Sequence, residues 1–551
     1  MFTLSFLPWA GFLVATCAVL AGGLFFFSLY YLYIRHLFSP FRTLPSPSQG
    51  PFWLRLFYEP RLPEIEHWID TIPNDGLIRY HGLFNRERIF ITSPEATKEF
   101  LTTSAYKFVK PELQYTLANL IAGRGLLILE GDEHKQVRKT LNPAFSPANL
   151  KAWFPSFWKT TIDALDLVPR YTDVDVDYAP SDSPETPFSG VTSIQIPVTA
   201  ASIDMIGHFG YNVEFGTIDS MATSKFGTMA KRSTDKRKRF GRAFIHMFKT
   251  TRHGQWTLEA ASIIGPKIAL MLPLRAVNTI KGIMGLFYDT IRDIIEDHER
   301  AAAVEKPAAQ PQGRTDLLTV AVRSGALSHA DLVEEGVHMT SAGTETLIGT
   351  TTWAMHLLSR HPEVQARLRD EIRANVPSPY DEAGIEFVEQ GDLCKLPYLK
   401  AVVNEVLRFH SVNGILWREC VAPTVIAGVP IPKGTTMTFS PWALNRDPKH
   451  WGPDARVFDP ERWVANPTTG GADHPYSLTT FGGGPRRCIG EQYARDQLLC
   501  VLAAYVGRYE LTPLDPANGT DDGTEIGSNF ALTLFKVYEG WQLHVKKIPG
   551  W

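Results

Sequence analysis

Residues 9–34 read WAGFLVATCAVLAGGLFFFSLYYLYI and contain no charged side chain. About 20 apolar residues in a helix cross the hydrocarbon core of a bilayer, so the run is long enough to span one. Tyr30, Tyr31 and Tyr33 gather at its end, where interfacial aromatic belts lie. Arg35, His36 and Arg42 follow, and no basic residue precedes the run. That asymmetry predicts a luminal N-terminus and a cytosolic body. A cleaved signal peptide would carry an apolar stretch of about 7–15 residues behind a charged start. Here the start is uncharged, and the run continues past Ala21, Gly22 and Gly23, the one small-residue cut. The sequence therefore predicts a retained single-pass anchor over residues 1–38. A proline-rich segment, SPFRTLPSPSQGPF at 39–52, follows as a stiff, extended hinge.

The remaining residues, 53–551, show no internal repeat and no clear linker, and read as one large catalytic body. Charged residues are 21% of the chain and the net charge is −3, so no polyanionic partner such as nucleic acid is implied. The five cysteines (Cys17, Cys394, Cys420, Cys488 and Cys500) form no C-x-x-C pair, which argues against structural zinc and against a disulfide scaffold. Two polar stretches, 173–190 and 304–315, read as exposed loops. A basic run at 231–239 reads as a solvated surface loop, with contact to anionic headgroups as the sharper alternative. Helical patterns dominate. One starts at Ser328, with Asp331 in its first turn, and runs to Arg360 before Pro362. At 1.5 Å per residue it spans roughly 50 Å. A second helix covers 397–409, and short β-like pieces lie at 424–427 and 533–538. The expected fold class is mainly α with small β-sheets.

The segment FGGGPRRCIG, residues 481–490, concentrates the chemistry. Consecutive glycines allow close backbone approach and positive φ. Cys488 follows them at the predicted start of a helix, beside Arg486 and Arg487, and both features favour thiolate over thiol. Such a thiolate is either a nucleophile or a metal ligand. A phosphate loop is excluded, because neither G-x-G-x-x-G nor G-x-x-x-x-G-K-[ST] occurs.

The pattern F-x-x-G-x-R-x-C-x-G, met by Phe481, Gly484, Arg486, Cys488 and Gly490, resembles the haem-binding signature of cytochrome P-450 enzymes. Four further segments resemble that family in order. GDEHKQVR (131–138) is similar to its W-x-x-x-R helix, with His134 in place of tryptophan and Arg138 kept. AGTET (342–346) matches A-G-x-[DE]-T, EVLR (405–408) matches E-x-x-R, and PERW (460–463) is similar to P-E-R-F. The resemblance covers nearly the whole chain after the anchor, and implies the cytochrome P-450 fold.

It also implies roles. Cys488 would ligate haem iron. Phe481, Arg486, Gly490, Ala342, His134, Arg138 and Arg418 would hold the cofactor, with His134, Arg138 and Arg418 at its propionates. Glu345 and Thr346 would deliver protons at a local break in the long helix. Glu405, Arg408 and Arg462 would form a buried ion network. The activity implied is oxidation of a lipophilic small molecule with dioxygen, in secondary-metabolite biosynthesis. No flavin or nicotinamide motif occurs, so electrons would come from NADPH-cytochrome P-450 reductase, with cytochrome b5 as a further donor. The layout resembles microsomal enzymes, which places the anchor in the endoplasmic reticulum membrane. Stretches near 120–127, 338–341, 413–416 and 530–532 would line the substrate cavity. Two other classes share the cysteine signature or the anchor. One is a haem-thiolate isomerase or dehydratase that does not use dioxygen, which would lack Thr346. The other is a membrane haem sensor, which would need no proton relay.

Overall fold

In the computed structural model the described residues are 7–56, 58–174, 188–222, 235–247, 275–304, 314–380, 388–516, 519–523, 526–530, 534–537 and 541–551, with positions 265, 268 and 271. They form two compact units. The first comprises residues 1–108 and 417–439, and the second comprises 109–416 and 440–551.

The first unit opens with the apolar helix Leu7–Leu32. Its described side chains find no protein core: Leu24, Phe25, Phe26 and Phe27 are each more than 60% exposed. One stretch, Ala15–Phe38, is long and apolar enough to cross a membrane. The helix ends on the sheet of its own unit, where Asn85 donates a hydrogen bond to the Leu32 carbonyl, one of the acceptors a helix C-terminus leaves open. Asn85 and its neighbour Phe84 both take positive φ, in the tight turn between strands Leu77–Gly82 and Arg86–Ile91. These strands pair antiparallel, and the second pairs parallel with Thr436–Phe439. Leu416–Cys420 and Phe108–Val109 complete a five-stranded sheet.

The second unit is mainly helical. Its axis is the helix His329–Arg360, started by a capping box between Ser328 and Asp331. Most of this helix is buried although it is rich in hydroxyls. Thr340, Ser341, Thr346, Thr350 and Thr352 each donate to the carbonyl four residues earlier, so these donors are satisfied inside the helix. Gln195–Tyr211 packs along it, and Pro147–Leu165 packs on the terminal helix Glu491–Arg508. Rings of Phe145, Phe157, Phe209 and Tyr493 join these elements, with Phe209 stacked on Tyr493 at 4.6 Å. A four-stranded antiparallel sheet gathers Tyr509–Pro513, Leu543–Lys547, Ser189–Thr192 and Thr172–Val174. A hairpin, Gly527–Phe530 with Leu534–Val537, lies on the long helix, where the Trp353 indole donates to the Phe535 carbonyl at 3.0 Å.

The fold class is as the sequence predicts, down to the helix Pro397–Phe409 and the strands Thr424–Ile426 and Leu534–Val537. Residues 175–187, 305–313 and 231–234, within the polar and basic stretches, lie outside the described residues. The described end of the basic run opens the helix Lys236–Met247, where Lys236 and Arg237 pair with Asp293 and Asp297.

Candidate active site

Cys488 sits between a glycine turn and a helix. Gly482 and Gly484 take φ of +69° and +59°, and fold the chain so that the Cys488 N–H donates to the Phe481 carbonyl at 2.9 Å. Gly490 is the N-cap of Glu491–Arg508, and its N–H donates to the Cys488 sulfur. Cys488 is exposed, yet burial pushes its thiol above the ordinary range, against the pull of Gly490 N–H, Arg138 and Arg487. Both hold together when the sulfur faces an enclosed recess rather than open solvent. Without a cofactor, desolvation of this sulfur outweighs the neighbouring positive charge. A sulfur so placed is a poor free nucleophile. It suits a metal ion, whose own charge deprotonates a coordinating thiol.

Basic groups surround the turn. Arg138 donates to the Arg487 carbonyl at 2.5 Å. Arg486 donates to the Leu129 carbonyl at 2.6 Å and pairs with Glu130, which also holds Lys110 at 3.0 Å. His134 is buried on the helix Gly131–Leu141. Burial first, then the charges of Arg486, Arg138 and Lys110, pull it down to about 3, so its ring is neutral. Of the residues expected around a cofactor, the second unit thus brings Phe481, Arg486, Cys488, Gly490, His134 and Arg138 together. Arg418 lies in the first unit, on the strand Leu416–Cys420, and donates to the Trp417 carbonyl at 3.0 Å.

On the long helix, Ala342, Gly343 and Thr346 are partly exposed within a stretch whose neighbours 337–341, 344–345 and 347 are buried. Ala342 and Thr346 are one turn apart, so they open one small-residue window in a packed helix. The expected local break is absent, because the helix runs unbroken through 342–346 and Thr346 donates to the Ala342 carbonyl at 2.8 Å. Glu345 turns away from that window. Its carboxylate is buried and forms an ion pair with Lys536 of the hairpin. Glu345 and Thr346 are adjacent in sequence, but their side chains take separate partners.

Glu405, Arg408 and Arg462 do meet. The Arg408 guanidinium clasps both oxygens of Glu405, at 2.8 and 2.7 Å, with both side chains fully buried. Its remaining N–H groups donate to the carbonyls of Asn445, Ala455 and Val457. Arg462 reaches Glu405 at 3.3 Å and Asp454 at 2.9 Å. The Trp463 indole and the Asp459 N–H also donate to Glu405, each at 2.9 Å. Every charge in this network is answered by a partner, the condition under which buried ions are tolerated.

Two features escaped the sequence reading. Lys536 carried a legible signal, a lone charge in the apolar strand TLFKVY. The second had none. Glu334, Glu335 and His338 accept the N–H groups of Arg124, Leu126 and Leu127 at 2.7, 2.9 and 3.1 Å, and so pin one loop to the long helix. His338 also donates through Nδ1 to the Ala122 carbonyl. Of the stretches expected to line a cavity, 338–341 is therefore buried and engaged with backbone, and 531–533 lies outside the described residues.

The cytochrome P450 family model matches residues 76–528. The chain belongs to the cytochrome P450 family. It is 33% identical over 545 residues to "Cytochrome P450 monooxygenase sphH" of Aspergillus fumigatus, covering 96% of this chain and 94% of that protein. It is 30% identical to "Cytochrome P450 monooxygenase FSL4" of Gibberella zeae, over 98% and 94% of the two chains. A third relative, "Cytochrome P450 monooxygenase buaD" of Petromyces alliaceus, is 29% identical over 98% of this chain. The protein is thus a P450 monooxygenase, of a family whose cofactor is thiolate-ligated haem. The recessed sulfur of Cys488, the basic groups around it and the small-residue window of the long helix are a donor set and a cradle that suit this group.

Proposed function

We propose that Cys488 would hold the haem iron of this P450 through its thiolate, and that the protein oxidises a lipophilic small molecule in fungal secondary metabolism. The supporting observation is the sulfur itself, recessed, open on one side and fastened by the Gly490 N–H. Haem bound there supplies dioxygen activation, which a cysteine thiolate promotes by donating electron density to iron.

The protein's own groups have separable tasks. Gly490 N–H stabilises negative charge on the sulfur, which keeps it from donating too freely. Arg138, Arg486 and neutral His134 supply N–H donors for carboxylates at the cofactor's edge. Ala342 leaves room beside the long helix, while Gly343 makes space for Ile206, whose Cδ1 would lie 3.1 Å from a Cβ there. Thr346 already gives its proton to the Ala342 carbonyl, so its oxygen accepts a hydrogen bond from whatever lies in the window. Glu345 and Lys536 hold a protic pair one residue away, shielded from bulk water. Electrons come from a separate NADPH-dependent reductase, with the cytosolic face set by the anchor in the endoplasmic reticulum membrane. The exposed Arg487, which pairs with its helix neighbour Glu491, stands on the side of the cysteine loop that such a donor would approach.

The test is the spectrum of the reduced protein under carbon monoxide, beside Cys488→Ser. A red-shifted Soret band in the wild type, lost in the variant, supports the reading. A band typical of nitrogen-ligated haem in folded wild-type protein overturns it.

A further inference from the structure

The strand Leu534–Val537 is buried on both faces, since Phe535, Lys536 and Val537 are in succession 5%, 7% and 3% exposed. Strands buried on both faces are ordinarily apolar throughout. A lysine here therefore carries a desolvation cost, which the ion pair with Glu345 answers. Stability alone does not call for the pair. A buried ion pair is commonly no better than apolar side chains of the same volume, and the strand is already held by other contacts. The Phe535 N–H donates to the Val412 carbonyl at 2.7 Å, Leu534 bridges Asn413, and the Phe535 ring stacks on Trp353 at 5.1 Å. What only a charge at position 536 can do is act on Glu345.

The helix fixes the geometry of that action. Glu345 and Gly349 lie one turn apart on one stripe, beside the stripe that carries Ala342 and Thr346. The stem of Lys536 runs past the first stripe, where a Cβ at Gly349 would stand 3.8 Å from its Cδ, and its ammonium meets Glu345 one turn back. The Glu345 carboxylate is thus drawn towards the hairpin and away from the window. The same contact sets its proton content. A buried carboxyl group left alone keeps its proton, whereas one that faces an ammonium gives it up. Without Lys536 the carboxylate would be stranded, and would take up a proton to shed its charge. It would then be a neutral acid with no cation to hold it on the hairpin side. Thr346, one residue on, is ready to receive it. Its own proton is on the Ala342 carbonyl, so its oxygen meets any new partner as an acceptor.

We propose that Lys536 is a positioning residue for Glu345, a latch that keeps the acid ionised and out of the window until the hairpin strand yields. As the two groups part, a proton passes from Lys536 Nζ to the carboxylate, because two separated charges are the costlier state in a buried site. Amine and acid are left neutral, and the acid is free to turn. The amine regains a proton when the pair re-forms, from the same medium that supplies the protons consumed in reducing dioxygen. Proton supply at the window thereby depends on where the hairpin stands. This deepens the reading of the window as the face turned towards bound haem, and rests on it.

The test uses the full-length, haem-loaded protein with a purified NADPH-dependent P450 reductase and no substrate. NADPH consumed with release of hydrogen peroxide then measures protons that reach the window without control. In Lys536→Met this leak rises about fivefold or more, the low end of a coupling between two sites. In Lys536→Met with Glu345→Gln it returns to the wild-type rate, because the amide has no proton to deliver. Gln365→Leu is the control for loss of stability alone. It removes buried bonds to Leu358 and Leu511 in another part of the same unit, and leaves the leak unchanged. The second readout is the infrared difference spectrum against the matching Glu345→Gln variant. It shows an ionised carboxylate in the wild type and a carboxylic acid in Lys536→Met. A rise no greater than that in Gln365→Leu, a rise that persists in the double variant, or a carboxylic acid already present in the wild type each overturns the latch. The wild-type infrared result decides even where Lys536→Met loads no haem. A carbon monoxide band typical of nitrogen-ligated haem overturns the haem reading and the latch together, whereas a thiolate band without the leak removes the latch alone.

Discussion

Lys536 reaches from the C-terminal hairpin to close a buried ion pair with Glu345 in the middle of the long helix. Gly349, one turn beyond Glu345, makes room for it: a Cβ there would lie 2.8 Å from Val412 Cγ2 and 3.5 Å from Lys536 Cγ. Trp353, a further turn on, fastens the same strand through the Phe535 carbonyl. One stripe of the helix thus seats the strand, and the acid of the AGTET motif belongs to that seat.

Replacing Lys536 with Met strands the Glu345 charge. At pH 6, loss of about 3–5 kcal/mol is expected by chemical denaturation, as for other broken buried pairs. The double variant with Glu345→Met recovers most of it.

Trp463 stands where the family pattern has phenylalanine, and its indole gives Glu405 an additional donor at 2.9 Å. Trp463→Phe removes that donor and keeps the ring. A loss of about 1.5–3 kcal/mol is expected, the range for a hydrogen bond to a charged group. Arg408→Met, which removes the central cation, costs about 3–5 kcal/mol and lowers the yield of haem-loaded protein. If the two variants were equally stable, Trp463 would be as important as the ion pair, contrary to this account.

Acid should weaken the fold partly through His134. Its native value, about 3, lies below that of an unfolded histidine. The unfolded state therefore binds the extra proton first, and stability falls as pH drops from about 6.5 towards 3. His134→Gln should shallow that slope by up to about 1.4 kcal/mol per pH unit. An unchanged slope in urea titrations would show that the native ring is protonated.

Gly125 touches the long helix too closely for any side chain, since a Cβ there would lie 2.3 Å from the Cβ of His338. Gly125→Ala must lift the loop and lengthen the bonds that Glu335 and His338 accept from Leu126 and Leu127. Faster amide exchange at Leu126 and Leu127, with the rest of the chain unaffected, is the expected signature. Burial pushes Glu335 up to about 8, so the freed carboxyl group should also titrate closer to an ordinary glutamate.

The sequence carried the helical axis and the cysteine turn because both are local. Ser328 and Asp331 meet within one helical turn, and the glycines before Cys488 act on their own backbone. The E-x-x-R pair was legible for the same reason, since a spacing of three brings Glu405 and Arg408 to one helical face. What could not be read depends on distant segments. The Glu345 carboxylate has its partner 191 positions away in Lys536, and nothing in AGTET specifies it. The enclosure of the Cys488 sulfur could not be read either, because sequence shows adjacent arginines but not how much protein surrounds it. The expected helix break failed for a subtler reason: Thr346 satisfies the Ala342 carbonyl itself, so the backbone has no need to open.

The bond from Asn85 to the Leu32 carbonyl has a practical consequence for anyone who shortens this protein. Removing the apolar helix to gain solubility would also remove Arg35 and His36 if the cut fell after residue 36. Arg79 would then lose the His36 carbonyl it donates to, and His81 the ring it meets edge to face. A cut before Tyr33 would sever the Leu32 carbonyl that Asn85 holds, but would leave the contacts of His36 whole. Where the scissors fall thus decides whether a truncated enzyme inherits a finished surface or an open wound in its first sheet.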